Sequence, residues 1–317
     1  MFRLLSVASA LPQQRKTNDD LSLFLDTSDE WISQRTGIRE RAVCVEESLT
    51  ELLVAAAKEA LVRAQLSAQQ IDLILCATIR GDYITPSQAC VVQKELGASC
   101  PAMDIGAACT GFLYALDVAA GYFARKKGKN VLILAGDAMS KLVNWQDRST
   151  CVLFGDAAGA VVLTEGNAVR SLFLSANGNT DFLQIPHVQG NSPFGKPEAA
   201  KPPFLQMNGQ EVYRFAVSSI CKDIRRVCTE AGVEAQQLDW LVPHQANLRI
   251  IESAAAKLKI PTERWLTGIE YLGNTSAASI PVVLNHASAK GKLKRGDLLG
   301  LSAFGAGLTT GACVLEW

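Results

Sequence analysis

Histidine is nearly absent from this chain: its 317 residues hold three, His187, His244 and His286, none spaced with another His or a Cys as metal ligands are. A resident metal is therefore not expected. Net charge is absent too. Thirty-one Lys and Arg balance thirty-one Asp and Glu, so no global field draws nucleic acid or an anionic membrane, and a charged partner has to be met by a local patch. No apolar run is long enough to span a bilayer, and the short one in residues 1–10 reads as a first buried strand rather than a signal peptide. The nine cysteines are odd in number, lie scattered through apolar segments and include no C-x-x-C. That argues against a disulfide framework and for a reducing compartment, the cytoplasm by default.

What is present is 48% apolar residues against 20% charged ones, enough to bury a large core over a length that suggests two domains. The chain also repeats itself. Residues 64–74 are echoed by residues 231–241, an offset of 167 (Asp72 to Asp239), and the same offset carries Gly106 to Gly273 and residues 131–134 to residues 298–301. It then falls to 152, where Gly159 matches Gly311, so the first half holds an insertion of about fifteen residues between Ala135 and Gly159. Each half alternates apolar strands with helical patterns, which reads as α/β. The expected division is a first half over 1–166 and a second over 167–317, with a long surface loop over 177–205.

Cys109 lies in Asp104-Ile105-Gly106-Ala107-Ala108-Cys109-Thr110-Gly111, a run of small residues between a short apolar strand and a helix over 112–120 that is apolar nearly all round. Such a helix is expected to be buried, and its dipole and free N–H groups are expected to favour thiolate over thiol. In the second half, His244 follows the strand over 240–242 and Asn274 sits in the turn before a helix over 280–289. Alone, each of the three has an ordinary reading: a small buried hydrophobe, a satisfied loop histidine, a turn asparagine. Placed together at the strand ends of two similar halves, they form a set suited to thioesters. The thiol exchanges one thioester for another. Two N–H donors, from the imidazole and the carboxamide, would hold an enolate oxygen after a malonyl group loses CO₂. The turn Gly305-Ala306-Gly307 could offer the Ala306 backbone N–H beside that of Cys109 as an oxyanion hole.

These blocks, with Asp26-Thr27-Ser28-Asp29-Glu30-Trp31-Ile32, Arg35-Thr36-Gly37-Ile38-Arg39-Glu40-Arg41, Phe154-Gly155-Asp156-Ala157-Ala158-Gly159, Pro243-His244-Gln245-Ala246-Asn247 and Gly273-Asn274-Thr275-Ser276-Ala277-Ala278-Ser279, closely resemble the β-ketoacyl-(acyl-carrier-protein) synthase III family almost end to end. The resemblance implies a thiolase-like α/β fold of two pseudo-duplicated halves in an α/β/α/β/α layering, a homodimer, and no cofactor beyond the substrates acyl-CoA and malonyl-acyl-carrier-protein. It implies the initiating condensation of type II fatty-acid synthesis on Cys109, His244 and Asn274. It further implies a CoA site of Thr27, Trp31, Arg35, Arg148, Gly209 and Asn247, carrier-protein docking on Arg249, Arg214 and Lys257, and an acyl-pocket gate at Thr85 given across the dimer.

Rival readings fit less well. A thiolase would want a second Cys within 304–310, and a 3-hydroxy-3-methylglutaryl-CoA synthase a Glu within 78–83; neither is there. A standalone condensing enzyme of secondary metabolism with another acyl acceptor is the alternative, and a catalytically silent partner subunit is the rival from a different class. Arg80-Gly81 stands close to the gate where the family commonly has a Thr-Pro pair, and a guanidinium there opposes burial of an apolar primer unless it points outward and pairs, for example with Asp82.

Overall fold

The structure is a computed structural model that describes residues 1–187, 193, 194 and 202–317. Two sheets form its frame. The five-stranded sheet runs in the order Phe2–Ala10, Ala157–Glu165, Asn130–Asp137, Leu73–Ala77, Ala102–Ile105, and the four-stranded sheet in the order Trp240–Pro243, Leu298–Gly305, Gly307–Glu316, Val169–Asn179. In each, a parallel pair lies beside an antiparallel return strand. The central strands are apolar on both faces because both faces are covered: every residue from Val131 to Ala135 is fully buried.

The helices supply that cover in three layers. Gly111–Ala124 and Ser279–Ala289 share one core with inward residues of both sheets, among them Phe112, Leu116, Ile280 and Leu284, and so lie between the sheets. Leu49–Ala64 packs outside the first sheet, and Gly209–Ala231 with Leu248–Leu258 outside the second. This is the expected α/β/α/β/α arrangement. One expectation needs correction: the helix after Cys109 is not buried all round. Asp117 is exposed and Val118 is 38% exposed, so one edge of that middle layer reaches the surface.

Strand register sharpens the repeat and corrects it by one residue. Leu73 faces Val131, and Trp240 faces Leu299. The offset is therefore 167 at Leu73 but 168 at Val131, and residues 131–134 match 299–302, not 298–301. The nucleophile turn shows the same step, since the one-turn helix Ala108–Thr110 corresponds to Ser276–Ala278. Gly159 pairs with Ala135 and Gly311 with Ala303, which bears out the match at 152 and sets the insertion at 16 residues (168 less 152) between Asp137 and Ala157. The 177–205 segment is not wholly loop: strand continues to Asn179, and Leu183–Gln184 pairs with Gln206–Met207, while 188–192 and 195–201 lie outside the described residues.

Candidate active site

Small residues shape the nucleophile turn. Ala108 has φ +46°, the left-handed region that larger side chains resist, and Gly111 opens the buried helix where a Cβ would stand 3.0 Å from that of Ala77. The second half reaches across at this point. A Cβ on Gly305 would stand 2.9 Å from the Cys109 amide nitrogen, so only glycine lets the end of Leu298–Gly305 close against the nucleophile, and Ala306 follows at the cavity wall. Cys109 is 8% exposed. Burial pushes its thiol up to about 12, which overturns the expected thiolate: removal from water outweighs the favourable hydrogen bonding at the turn.

The segment 273–279 assembles the rest. Gly273 has φ +66°, and Asn274 is held from both sides of its peptide, its N–H donating to Leu153 O at 2.8 Å and its carbonyl accepting from Gly155 N at 3.1 Å. At Gly155 a Cβ would fall 2.2 Å from Leu272 O, so a glycine is required for the halves to meet there. Asn274 Oδ1 accepts from the Ser276 amide at 2.9 Å, which fixes the carboxamide and turns Nδ2 away. Ser276 Oγ accepts from Cys109 Sγ at 3.6 Å. Ser279 Oγ bonds His244 Nδ1 at 2.7 Å, and Phe304 meets that ring edge-on at 5.3 Å. Cys109, His244 and Asn274 thus line one cavity of about 1350 Å³, all three tethered by one seven-residue stretch.

His244 is fully buried, and desolvation drops its pKa from 6.5 to about 3. The unfolded chain takes up that proton below pH 6.5 while the folded one resists, so this contribution to stability is whole at neutral pH and is lost as pH falls toward 3. The expected outcome is that wild type loses about 1.4 kcal/mol per pH unit relative to His244→Ala below pH 6.5. Urea unfolding of both proteins at pH 7.5 and 5.5 checks this; a difference independent of pH would contradict it.

The cavity mouth gathers part of the expected CoA set. Trp31, Arg35, Gly209 and Asn247 line it, as do Arg214 and Arg249, whereas Thr27, Arg148, Lys257 and Thr85 do not. Arg35 and Arg148 stack on the Trp31 indole, their guanidinium carbons 4.5 and 5.2 Å from its centre. Arg148 also pairs with Asp26 Oδ2 at 2.9 Å, and Thr27 Oγ1 is buried without a partner. Asn247 caps Leu248–Leu258 through Arg249 N and donates to Arg35 O, so it ties the mouth together structurally. Thr85 is exposed in this chain. Arg80 is exposed and unpaired with Asp82, whose carboxylate takes the N-terminal end of Leu49–Ala64 through Thr50 instead.

Sequence reasoning missed Ser276, Ser279 and Asp137. Both serines stood inside the 273–279 block, and the concentration of short polar side chains in that turn, just before an apolar helix, was the available signal. Among the described residues no cluster of three or more His, Cys, Asp or Glu is arranged to hold a metal ion.

The family described as 3-oxoacyl-[acyl-carrier-protein (ACP)] synthase III matches residues 103–181, and its C-terminal part matches residues 228–317. The chain is 44% identical to the beta-ketoacyl-[acyl-carrier-protein] synthase III of Coxiella burnetii and 40% identical to that of Clostridium acetobutylicum, covering in each case 99% of this chain and 98% of the relative. The crystal structure of 3-oxoacyl-[acyl-carrier-protein] synthase III from Aquifex aeolicus is 42% identical and superposes with a TM-score of 0.93 over 100% of both chains.

Proposed function

The chain belongs to the 3-oxoacyl-[acyl-carrier-protein] synthase III family, and on that premise we propose that Cys109 is its acylated nucleophile and that His244 and Asn274 hold the enolate oxygen of the second substrate. It is an acyltransferase, the condensing enzyme that initiates fatty-acid synthesis by joining an acyl-CoA primer to malonyl-acyl-carrier-protein with loss of CO₂. The observation that supports the residue roles is the tether: 273–279 supplies Asn274, touches the Cys109 thiol through Ser276 and orients His244 through Ser279.

Cys109 attacks the primer carbonyl and releases CoA, one thioester replacing another at little net cost. The backbone N–H groups of Cys109 and Ala306 face the developing oxyanion. Malonyl-acyl-carrier-protein then enters the same cavity. A neutral imidazole is needed to donate a hydrogen bond without surrendering its proton, and burial keeps His244 neutral. With the Ser279 hydroxyl donating to Nδ1, the imidazole carries its proton on Nε2, and in this tautomer Nε2–H joins Asn274 Nδ2–H at the thioester oxygen as CO₂ departs. The carbanion attacks acyl-Cys109 and frees the thiol.

Trp31, Arg35 and Arg148 form the nucleotide end of the entrance, with Thr27, Gly209 and Asn247 along the pantetheine path. The stacked cations on Trp31 support this, since an adenine ring can take the place of a guanidinium on the indole face. Docking of the acidic carrier rests first on Arg249, exposed at the mouth; Lys257 is exposed further along the same helix, and Arg214 is already paired with Glu211 at 2.7 Å. Arg249→Glu is expected to raise KM for malonyl-acyl-carrier-protein about tenfold, with the wild-type advantage fading at high salt and acylation by acyl-CoA little changed. Steady-state kinetics at two salt concentrations measure this, and equal loss in both half-reactions would contradict it.

A homodimer with Thr85 gating the partner's acyl pocket is supported by an open sheet edge. Ala102–Ile105 ends the five-stranded sheet with Met103 43% exposed, and Tyr83 and Ile84, on the segment that Gln88 ties to Asp104, are 59% and 89% exposed. Nine free cysteines support a cytoplasmic setting. The whole reading is tested by incubation with acetyl-CoA, intact-mass measurement, and product analysis after malonyl-acyl-carrier-protein is added. Absence of both adduct and 3-oxoacyl product would overturn it.

A further inference from the structure

A buried carboxylate stands behind the nucleophile. Asp137 ends the central strand Asn130–Asp137 and is fully buried. Its Oδ1 accepts from the Thr78 hydroxyl at 2.9 Å and from the Ile79 amide at 2.6 Å, while Oδ2 is equally buried and has no hydrogen bond. The one-turn helix Ser276–Ala278 packs against the strand that Asp137 ends, and the Ser276 hydroxyl, which accepts from Cys109 Sγ at 3.6 Å, acts to lower the pKa of this carboxylate without a hydrogen bond of standard geometry to it. Ser276 holds that place with φ +51°, a left-handed conformation that a serine adopts only when its surroundings demand it. A buried carboxylate oxygen without a donor is costly, and a hydroxyl proton that rotates toward it relieves the cost.

We propose that Asp137 receives the Cys109 thiol proton through the Ser276 hydroxyl as the primer thioester is attacked, and returns it when the acyl group leaves the sulfur. The proposal rests on the reading of Cys109 as the acylated nucleophile. In acylation the S–H bond breaks, its proton passes to Ser276 Oγ as the serine's own proton passes to Asp137, and the sulfur electron pair forms the new C–S bond. The adduct then expels CoA as thiolate, which is protonated by water. In condensation the enolate carbon displaces the Cys109 sulfur, which takes its proton back along the same path, and Asp137 is again a carboxylate.

The relay answers the difficulty that burial creates. With Asp137 charged, a second negative charge on Cys109 is opposed by both desolvation and repulsion, and the thiol stays protonated. Moving the proton between them leaves the buried charge unchanged in amount, so no new ion is desolvated. Burial raises Asp137 to about 6, making it a better base than an exposed carboxylate while still ionised at neutral pH. The titratable groups that face it are Cys109 on the nucleophile turn and Cys76 on the adjacent strand, both pushed up by burial; Thr78, Ile79 and Arg80 contribute a hydroxyl and backbone amides.

The experiment is quenched-flow intact-mass measurement of Cys109 acylation by acetyl-CoA from pH 5 to 8, in wild type, Asp137→Asn and Ser276→Ala. Ser276→Ala leaves the Thr78 and Ile79 bonds to Asp137 in place and decides the matter if Asp137→Asn does not fold. Wild type is expected to show a rise with an inflection near pH 6, where His244 does not titrate. Both variants should acylate at least about tenfold more slowly at pH 7 and lose the inflection. A variant that keeps the wild-type rate and inflection overturns the relay. A wild type that forms no adduct overturns the assignment of Cys109 itself.

Discussion

Cys109→Ala is expected to abolish the acyl adduct and to bring condensation to background, while the protein stays folded. No other thiol can substitute. Among the nine free cysteines, Cys109 is the one that lines the cavity, and the fully buried Cys76 and Cys313 sit in sheet strands. The turn does not depend on the sulfur for its shape, because Ala108, Gly111 and Gly305 set its course by their small size and backbone conformation. The lost atom borders an existing cavity and makes only a long contact to Ser276, so the stability cost is expected to be about 1 kcal/mol. Intact mass after acetyl-CoA, product analysis and thermal unfolding together check this outcome. Condensation surviving in the variant would remove Cys109 from the mechanism.

Whatever depended on local pattern was legible in the sequence. The strand Leu73–Ala77 and the turns bearing Cys109, His244 and Asn274 show in runs of apolar, small and turn-forming residues, and the duplication shows in residues 64–74 and 231–241. What depended on packing between the halves was not. The step from 167 to 168 is invisible because the turns over 106–111 and 273–279 share little beyond small residues, and it took the pairing of Val131 with Leu73, and of Leu299 with Trp240, to expose it. The thiol's pKa was misjudged for the same reason: the helix N-terminus is written locally, but the burial that raises the thiol comes from packing between the halves, where Gly305 closes against the Cys109 amide. Asp137 could not be told from any residue ending a strand until Ser276, 139 residues away in sequence, was seen to bond Cys109 from a turn packed against that strand.

His244→Ala and Asn274→Ala are expected to keep acylation of Cys109 and to lose malonyl decarboxylation by about two to three orders of magnitude. On the proposed roles each variant deletes one of two donors to the enolate oxygen, and one such donor typically supplies about 3–4 kcal/mol of transition-state stabilisation. Acylation is expected to need neither, because the proposed oxyanion hole is made of the backbone N–H groups of Cys109 and Ala306, which both substitutions leave in place. The two variants should differ in stability. Loss of the imidazole strands the buried Ser279 hydroxyl and opens space beside Phe304, whereas loss of the carboxamide frees the Ser276 amide but leaves the Asn274 backbone bonds to Leu153 and Gly155 intact. His244→Ala should therefore be the less stable of the two at neutral pH, by about 1–3 kcal/mol. Separate measurement of adduct formation from acetyl-CoA and of CO₂ release from malonyl-acyl-carrier-protein distinguishes the roles. Should either variant fail to acylate while still releasing CO₂, its residue serves the first half-reaction, and the enolate oxygen must find its donors elsewhere on the cavity wall.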